Sequence, residues 1–224
     1  MTTDSIEAAA ARLSDIRDNI DRAASLTGRR GADINLIAIS KTHEAPAIQP
    51  LIDAGQRVFG ENRVQEAQGK WPALRDATPG IVLHLVGQLQ SNKADDAVAL
   101  FDVIHSLDRP SLLTALAKAM DKADRRIPCF IQVNIGAEAQ KGGCPIADTP
   151  ALIAAARAAD VPVAGLMCVP PADVEPAPYF ALLAKIAREE GLDRLSMGMS
   201  GDYETAIMLG ATDIRVGAAL FGAR

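Results

Sequence analysis

Cysteine is scarce in these 224 residues: Cys129, Cys144 and Cys168 are the only three, an odd number at wide spacings with no C-x-x-C pair. That excludes a disulfide frame and a thiolate zinc site, and it points to a reducing compartment in which the thiols act as small buried apolar residues. Histidine is equally sparse, and His43, His84 and His105 show no H-E-x-x-H or paired spacing, so no metal site is expected. Only Tyr179 and Tyr203 could supply a phenol for acid–base work. No stretch approaches the roughly 18 to 20 apolar residues of a membrane span. The opening Met1-Thr2-Thr3-Asp4-Ser5-Ile6-Glu7 has no basic segment followed by an apolar run, so no export signal is read and a cytoplasmic protein is expected. The 23 basic residues are scattered among 28 acidic ones, for a net charge of -5. A nucleic-acid footprint is therefore excluded, and an anionic ligand has to be held locally.

What is present is apolar sequence in a regular pulse. At 49% hydrophobic and 23% charged, the chain can bury one large core, and a single domain over residues 1–224 is expected. A helix is read from about Asp4 to Leu26, capped by Thr3 or Asp4, with Ile6, Leu13, Ile16, Ile20 and Leu26 as its stripe and Gly28 as its end. Strands follow near residues 34–40, 57–60, 81–87, 102–106, 128–135, 162–169, 194–198 and 213–217. Their starts lie between 19 residues (194 to 213) and 34 residues (128 to 162) apart, room for one helix in each interval. Eight such steps predict an α/β fold, a parallel (β/α)8 barrel of the TIM type. An open doubly wound sheet is the second choice, because no G-x-G-x-x-G follows the first strand. Little sequence remains after the last strand for an eighth helix, and the N-terminal helix can cover that gap.

The first strand, Ile34 to Ile39, is almost continuously apolar and runs into Ser40-Lys41-Thr42. An ammonium at the end of a buried strand is partly desolvated, which favours the neutral amine that attacks an aldehyde. Its plainer reading is a lysine whose stem covers the strand end while its head stays in water. Other unusual residues also fall at strand ends, where barrels of this kind carry function: Asn62, Gln88, Asn134, Met167, Ser196 to Ser200, and Arg215 to Gly217. The loop Ser196-Met197-Gly198-Met199-Ser200-Gly201-Asp202 precedes a helix and can present N–H groups to a phosphate, with Asp202 turned outward. Plain capping by Ser200 is the alternative. Arg215, amid apolar neighbours, should reach the barrel mouth, either toward a ligand or in an ion pair with Glu61 or Asp202. His84 reads as a hydrogen-bonded core histidine, Asn134 as lining the mouth, Lys141 as solvated, and Trp71-Pro72 as closing a helix against the shell.

Taken together, Ala38-Ile39-Ser40-Lys41-Thr42, Phe59-Gly60-Glu61-Asn62-Arg63-Val64-Gln65-Glu66, His84 to Lys93, Gly165-Leu166-Met167, Leu195 to Ser200 and Arg215 to Gly222 resemble the pyridoxal phosphate homeostasis family. The likeness spans nearly the whole chain in six ordered motifs. It implies a single alanine-racemase-type barrel (the N-terminal domain type, fold type III) that binds pyridoxal 5'-phosphate. By that resemblance Lys41 would form the internal aldimine. Ser196, Ser200 and the backbone around Gly201, Gly217 and Ala218 would hold the phosphate, Asn62 would lie beside the phenolic oxygen, Met167 would join the cofactor site, and Arg215 would face the pyridine nitrogen. The family usually has threonine at Ala218, often has an acidic residue at Gly201, and carries a short tail beyond Arg224. The lost hydroxyl at Ala218 should cost about 1 kcal/mol of affinity.

The resemblance implies a protein of vitamin B6 homeostasis that keeps the cofactor on Lys41 without efficient catalysis and is not an enzyme in the usual sense. Apo forms of pyridoxal-phosphate enzymes are its implied recipients, and a monomer is expected. A weak amino-acid racemase is one alternative. A barrel that binds another phosphorylated metabolite through the same two loops is the other.

Overall fold

The computed structural model describes residues 5–222. Ser5 opens helix α1 (Ile6–Ser25), its Oγ accepting from the Ala8 N–H at 3.1 Å. The caps expected at Thr3 and Asp4 lie outside the described residues. The helix buries Ala9, Leu13, Ile16, Ile20, Ala23 and Ala24. Ile6 and Leu26, expected in the same stripe, stand at its two ends and are exposed.

Eight strands and their helices then alternate. β1 (Asn35–Ile39) leads to α2 (Ala45–Asp53), β2 (Val58–Glu61) to α3 (Val64–Ala77), and β3 (Val82–Leu85) to α4 (Ala94–Leu100). β4 (Val103–Leu107) and α5 (Pro110–Ala123), then β5 (Cys129–Gln132) and α6 (Thr149–Ala158), continue the pattern. β6 (Val163–Met167) and α7 (Ala177–Glu189), β7 (Arg194–Met199) and α8 (Tyr203–Met208), and β8 (Asp213–Val216) with the single turn α9 (Ala218–Phe221) complete it. The sheet is a closed barrel in sequence order with every pair parallel. It closes where β8 meets β1, with Asn35 opposite Asp213 and Ile37 opposite Arg215.

Side chains alternate across each strand, so one set faces the helices and the other the barrel interior. Leu36, Ala38, Leu195, Met197, Ile214 and Val216 join the large core between sheet and helices. Inside, Val103, Phe130 and Met167 form only a small apolar cluster. Ile37 and Ile39 share the inner face of β1, and buried polar side chains fill much of the rest. At its base Arg194 pairs with Asp213 at 2.6 Å, Asn35 donates to the same carboxylate at 3.0 Å, and the Arg194 guanidinium lies 5.0 Å over the Phe130 ring.

α9 is four residues long, and α1 packs on α2, α8 and α9, with Arg12 Nε donating to the Leu220 carbonyl at 2.6 Å. The N-terminal helix thus fills the gap in the outer ring, as the short final segment predicts. Two local expectations are corrected. The fifth strand ends at Gln132 and not at residue 135, because Asn134 turns into its own loop: its Nδ2 donates to the Glu138 carbonyl at 2.8 Å and its Oδ1 accepts from the Glu138 N–H at 3.1 Å. Trp71 does hold its helix against the shell, but it and Pro72 lie within α3 and not at its end. The Trp71 indole is held there by Glu61, 2.9 Å away, and its ring packs against Phe59.

Candidate functional site

Each candidate residue owes its position to a strand end. β1 runs out at Ser40-Lys41-Thr42, with Thr42 in the left-handed region at φ 66°. Asn62 follows β2, and the β3 loop crosses it so closely that a Cβ on Gly87 would come within 2.2 Å of the Asn62 carbonyl oxygen. Glycine is therefore required at that crossing. β7 ends at Met199 and turns at Gly198, φ 93°, where a Cβ would meet the Ala206 methyl at 2.6 Å. Ser200 then reaches across to the last strand, its Oγ accepting from the Gly217 N–H at 3.2 Å.

These ends surround one cavity of about 460 Å³ at the carboxyl face of the barrel. Seven of the nine residues expected at a cofactor line it: Lys41, Asn62, Met167, Ser200, Arg215, Gly217 and Ala218. The N–H groups of Ala218 and Ala219 open α9 and, as at any helix start, have no carbonyl partner within it. Arg215 is buried, and its Nη2 donates to the Cys168 carbonyl at 2.8 Å while Nη1 donates to Ser196 Oγ at 2.6 Å. Burial pulls its guanidinium below its ordinary value. Neither Glu61 nor Asp202 forms an ion pair with it: Glu61 accepts from Ser40 Oγ and Trp71, and Asp202 accepts from the Met199 N–H at 2.5 Å.

Two expected residues are placed elsewhere. Ser196 is fully buried beneath Arg215, inside the barrel, because strand alternation puts it on the same face as Arg194; its hydroxyl is engaged by Arg215 and His105 and is not turned to a phosphate. Gly201 is exposed, one residue beyond Ser200, and does not line the cavity.

Behind Arg215 runs a chain of hydrogen bonds. Ser196 Oγ lies 2.8 Å from His105 Nδ1, and His105 Nε2 lies 2.8 Å from His84 Nδ1. Arg215 can only donate to Ser196, so the arrangement that also uses the serine proton has Ser196 donating to His105 and His105 donating onward to His84. In that arrangement each ring carries its proton on Nε2. Burial lowers His84 to about 4 and holds His105 well below its ordinary value. The three thiols are unpaired and buried, with Cys129 and Cys168 pushed up to about 12.

Sequence reasoning missed other parts of the wall. His43 lines the cavity and stacks on Phe221, ring centroids 4.3 Å apart. Ile39, Val86 and Val169 supply its apolar side. Among the described residues no tyrosine lines it. Tyr203 points away toward α1, where its hydroxyl accepts from Asn19 at 3.1 Å, and it is buried there.

Residues 11–224 match the family model described as alanine racemase, N-terminal domain. The chain is 38% identical, over 96% of its length and 95% of the relative's, to the pyridoxal phosphate homeostasis protein of Pseudomonas aeruginosa. It is similar to the solved structure of PipY from Synechococcus elongatus with PLP bound, at 39% identity and a TM-score of 0.80 over 91% of this chain and all of that one. The alanine racemase of Corynebacterium glutamicum shares the fold, with a TM-score of 0.68 at 19% identity; this chain is covered to 98% but spans 62% of that one.

Proposed function

The chain belongs to the alanine racemase N-terminal domain family and, within it, to the pyridoxal phosphate homeostasis proteins, and from that membership we propose that it binds pyridoxal 5'-phosphate at the barrel mouth, keeps it reversibly on Lys41, and buffers or delivers it without efficient turnover. One observation carries the reading: an amine, a guanidinium that cannot lose its proton, and two phosphate-sized loops at Ser200 and Gly217-Ala218 converge on a single cavity. That donor set fits the group. Lys41 is the amine for the aldehyde, Arg215 the donor to the ring nitrogen, Asn62 the neighbour of the phenolic oxygen, and Met167 part of the floor. Ser200 and the N–H groups at Ala218 hold the phosphate.

When bound, such a cofactor supplies an electrophilic carbon and an electron-withdrawing ring. Arg215 weakens the second property, because it donates to the ring nitrogen and never protonates it. Racemisation also needs an acid/base on each face of the substrate, and neither tyrosine reaches the wall. Three buried, unpaired thiols support work in the cytoplasm. We place the protein there as a monomer, a single barrel that passes its cargo to apo forms of pyridoxal-phosphate enzymes.

The test is a visible spectrum of the protein with pyridoxal phosphate before and after borohydride reduction, followed by mass mapping of the labelled peptide. The label should fall on Lys41, and Lys41→Ala should lose both band and label. An unchanged band in that variant overturns the assignment. Rapid exchange of an amino acid's α-hydrogen in deuterated water would show a racemase instead. A colourless protein indifferent to the cofactor would show a barrel for another phosphorylated metabolite.

A further inference from the structure

We propose that Lys70, on α3 outside the barrel, is a positioning residue that aims the amine of Lys41 into the cavity. The inference rests on the reading that Lys41 takes the aldehyde. Lys70 is buried, and its three N–H bonds go to the Ser40 carbonyl at 2.9 Å, the His43 carbonyl at 2.8 Å and Glu66 Oε1 at 2.9 Å. Glu66 Oε1 in turn accepts from the Thr42 N–H at 2.5 Å. Glu61 Oε1, also 2.9 Å from the ammonium, takes the Ser40 hydroxyl at 2.6 Å and the Trp71 indole at 2.9 Å. One helix face therefore holds the carbonyl before Lys41, the N–H after it and the carbonyl of His43, two residues on.

An ion pair that only tied α3 to the sheet would need none of those backbone contacts. What needs them is Thr42, a β-branched residue at φ 66°. That conformation is unfavourable for such a side chain and persists only when its surroundings impose it. Released from the clamp, Thr42 relaxes to negative φ and turns the Cα–Cβ bond of Lys41 with it. The amine then loses its aim at the bound aldehyde, although the phosphate loops across the cavity stay as they were. Lys70 is itself an amine, yet every N–H it has is spent on this clamp, so it is not offered to the aldehyde.

The step that reads out aim is condensation. The neutral Lys41 Nζ adds to the aldehyde carbon, the oxygen leaves as water with the two amine hydrogens, and a C=N bond remains; no oxidant or reductant takes part. The experiment compares its rate, by stopped-flow absorbance on mixing with pyridoxal phosphate, with calorimetric binding of pyridoxine 5'-phosphate, which has an alcohol in place of the aldehyde. Lys70→Met and Glu66→Ala should slow condensation about ten-fold or more, the scale of misalignment at a reacting centre. Pyridoxine phosphate affinity should stay within about two-fold, well under the cost of one lost hydrogen bond. Glu66→Gln keeps an acceptor for the Thr42 N–H and should restore most of the rate. Condensation at the wild-type rate in both variants overturns the proposal, as does an equal loss of both ligands. If Lys70→Met does not fold, Glu66→Ala decides, since that carboxylate is already 30% exposed. Failure of the wild-type protein to label at Lys41 would instead overturn the underlying reading and leave pyridoxine phosphate binding as the separate measure of the cavity.

Discussion

Arg215 donates to Ser196 Oγ across 2.6 Å at the floor of the cavity, and that bond joins the cation to the buried pair His105 and His84. Because the guanidinium has no acceptor, the serine oxygen accepts from it and leaves its own proton for His105. The serine that looks like part of a phosphate cup is therefore a support for the cation.

Ser196→Ala should leave one Arg215 N–H without its acceptor and one His105 nitrogen without its partner. Both atoms are buried, so a loss of about 1 to 3 kcal/mol in stability is expected, readable as a lower urea midpoint at unchanged slope. Cofactor affinity should fall modestly, because Arg215 can still be held by the Cys168 carbonyl. A collapse of affinity with unchanged stability would instead return Ser196 to the phosphate.

Acid should destabilise the protein through the same chain. The folded value of His84 is depressed from 6.5 to about 4 by burial, so the unfolded state binds more protons between those limits. Stability contributed by the neutral ring is fully present above pH 6.5 and is lost as pH falls through that window, by roughly 3 kcal/mol at the lower end. His105 adds in the same direction. Urea midpoints measured from pH 7 to pH 4.5 should fall steadily, and His84→Gln should show a shallower fall.

Ala218 lines the cavity at the start of α9, beside the N–H groups assigned to the phosphate. Ala218→Thr places a hydroxyl there, and the affinity for pyridoxal phosphate should rise several-fold, equivalent to about 1 kcal/mol. Equilibrium dialysis at fixed ionic strength measures it. No change, or a decrease, would mean that the phosphate does not sit at this turn.

Most of the fold is legible because buried parallel strands are near-continuous apolar runs. All eight appear within a few residues of their expected places, and the strand that overran did so at Asn134, whose short polar side chain closes a turn that hydrophobicity does not register. Lys41 and Arg215 stand out because each interrupts an apolar strand end. Ser196 is expected at the phosphate from the resemblance, whereas alternation along Arg194-Leu195-Ser196 and Asp213-Ile214-Arg215 turns its side chain into the interior with Arg194 and Arg215. The Glu66–Lys70 pair is not legible in the sequence, where an i,i+4 ion pair on a helix looks like a solvated face. Only the packing of α3 on the end of β1 shows that this pair is turned inward.

The pairing of β1 with β8 has a consequence for how the molecule comes into being. These two strands are neighbours in space and the most widely separated of the eight along the polypeptide, so closing the ring carries the largest loop-closure cost of any strand pairing. Until β8 docks, β1 offers an unpaired edge and the basic floor built by Arg215 does not yet exist. Capacity for a ligand should therefore arrive all at once, with the final turn of the barrel, and refolding followed by ligand fluorescence should lag behind refolding followed by helix content.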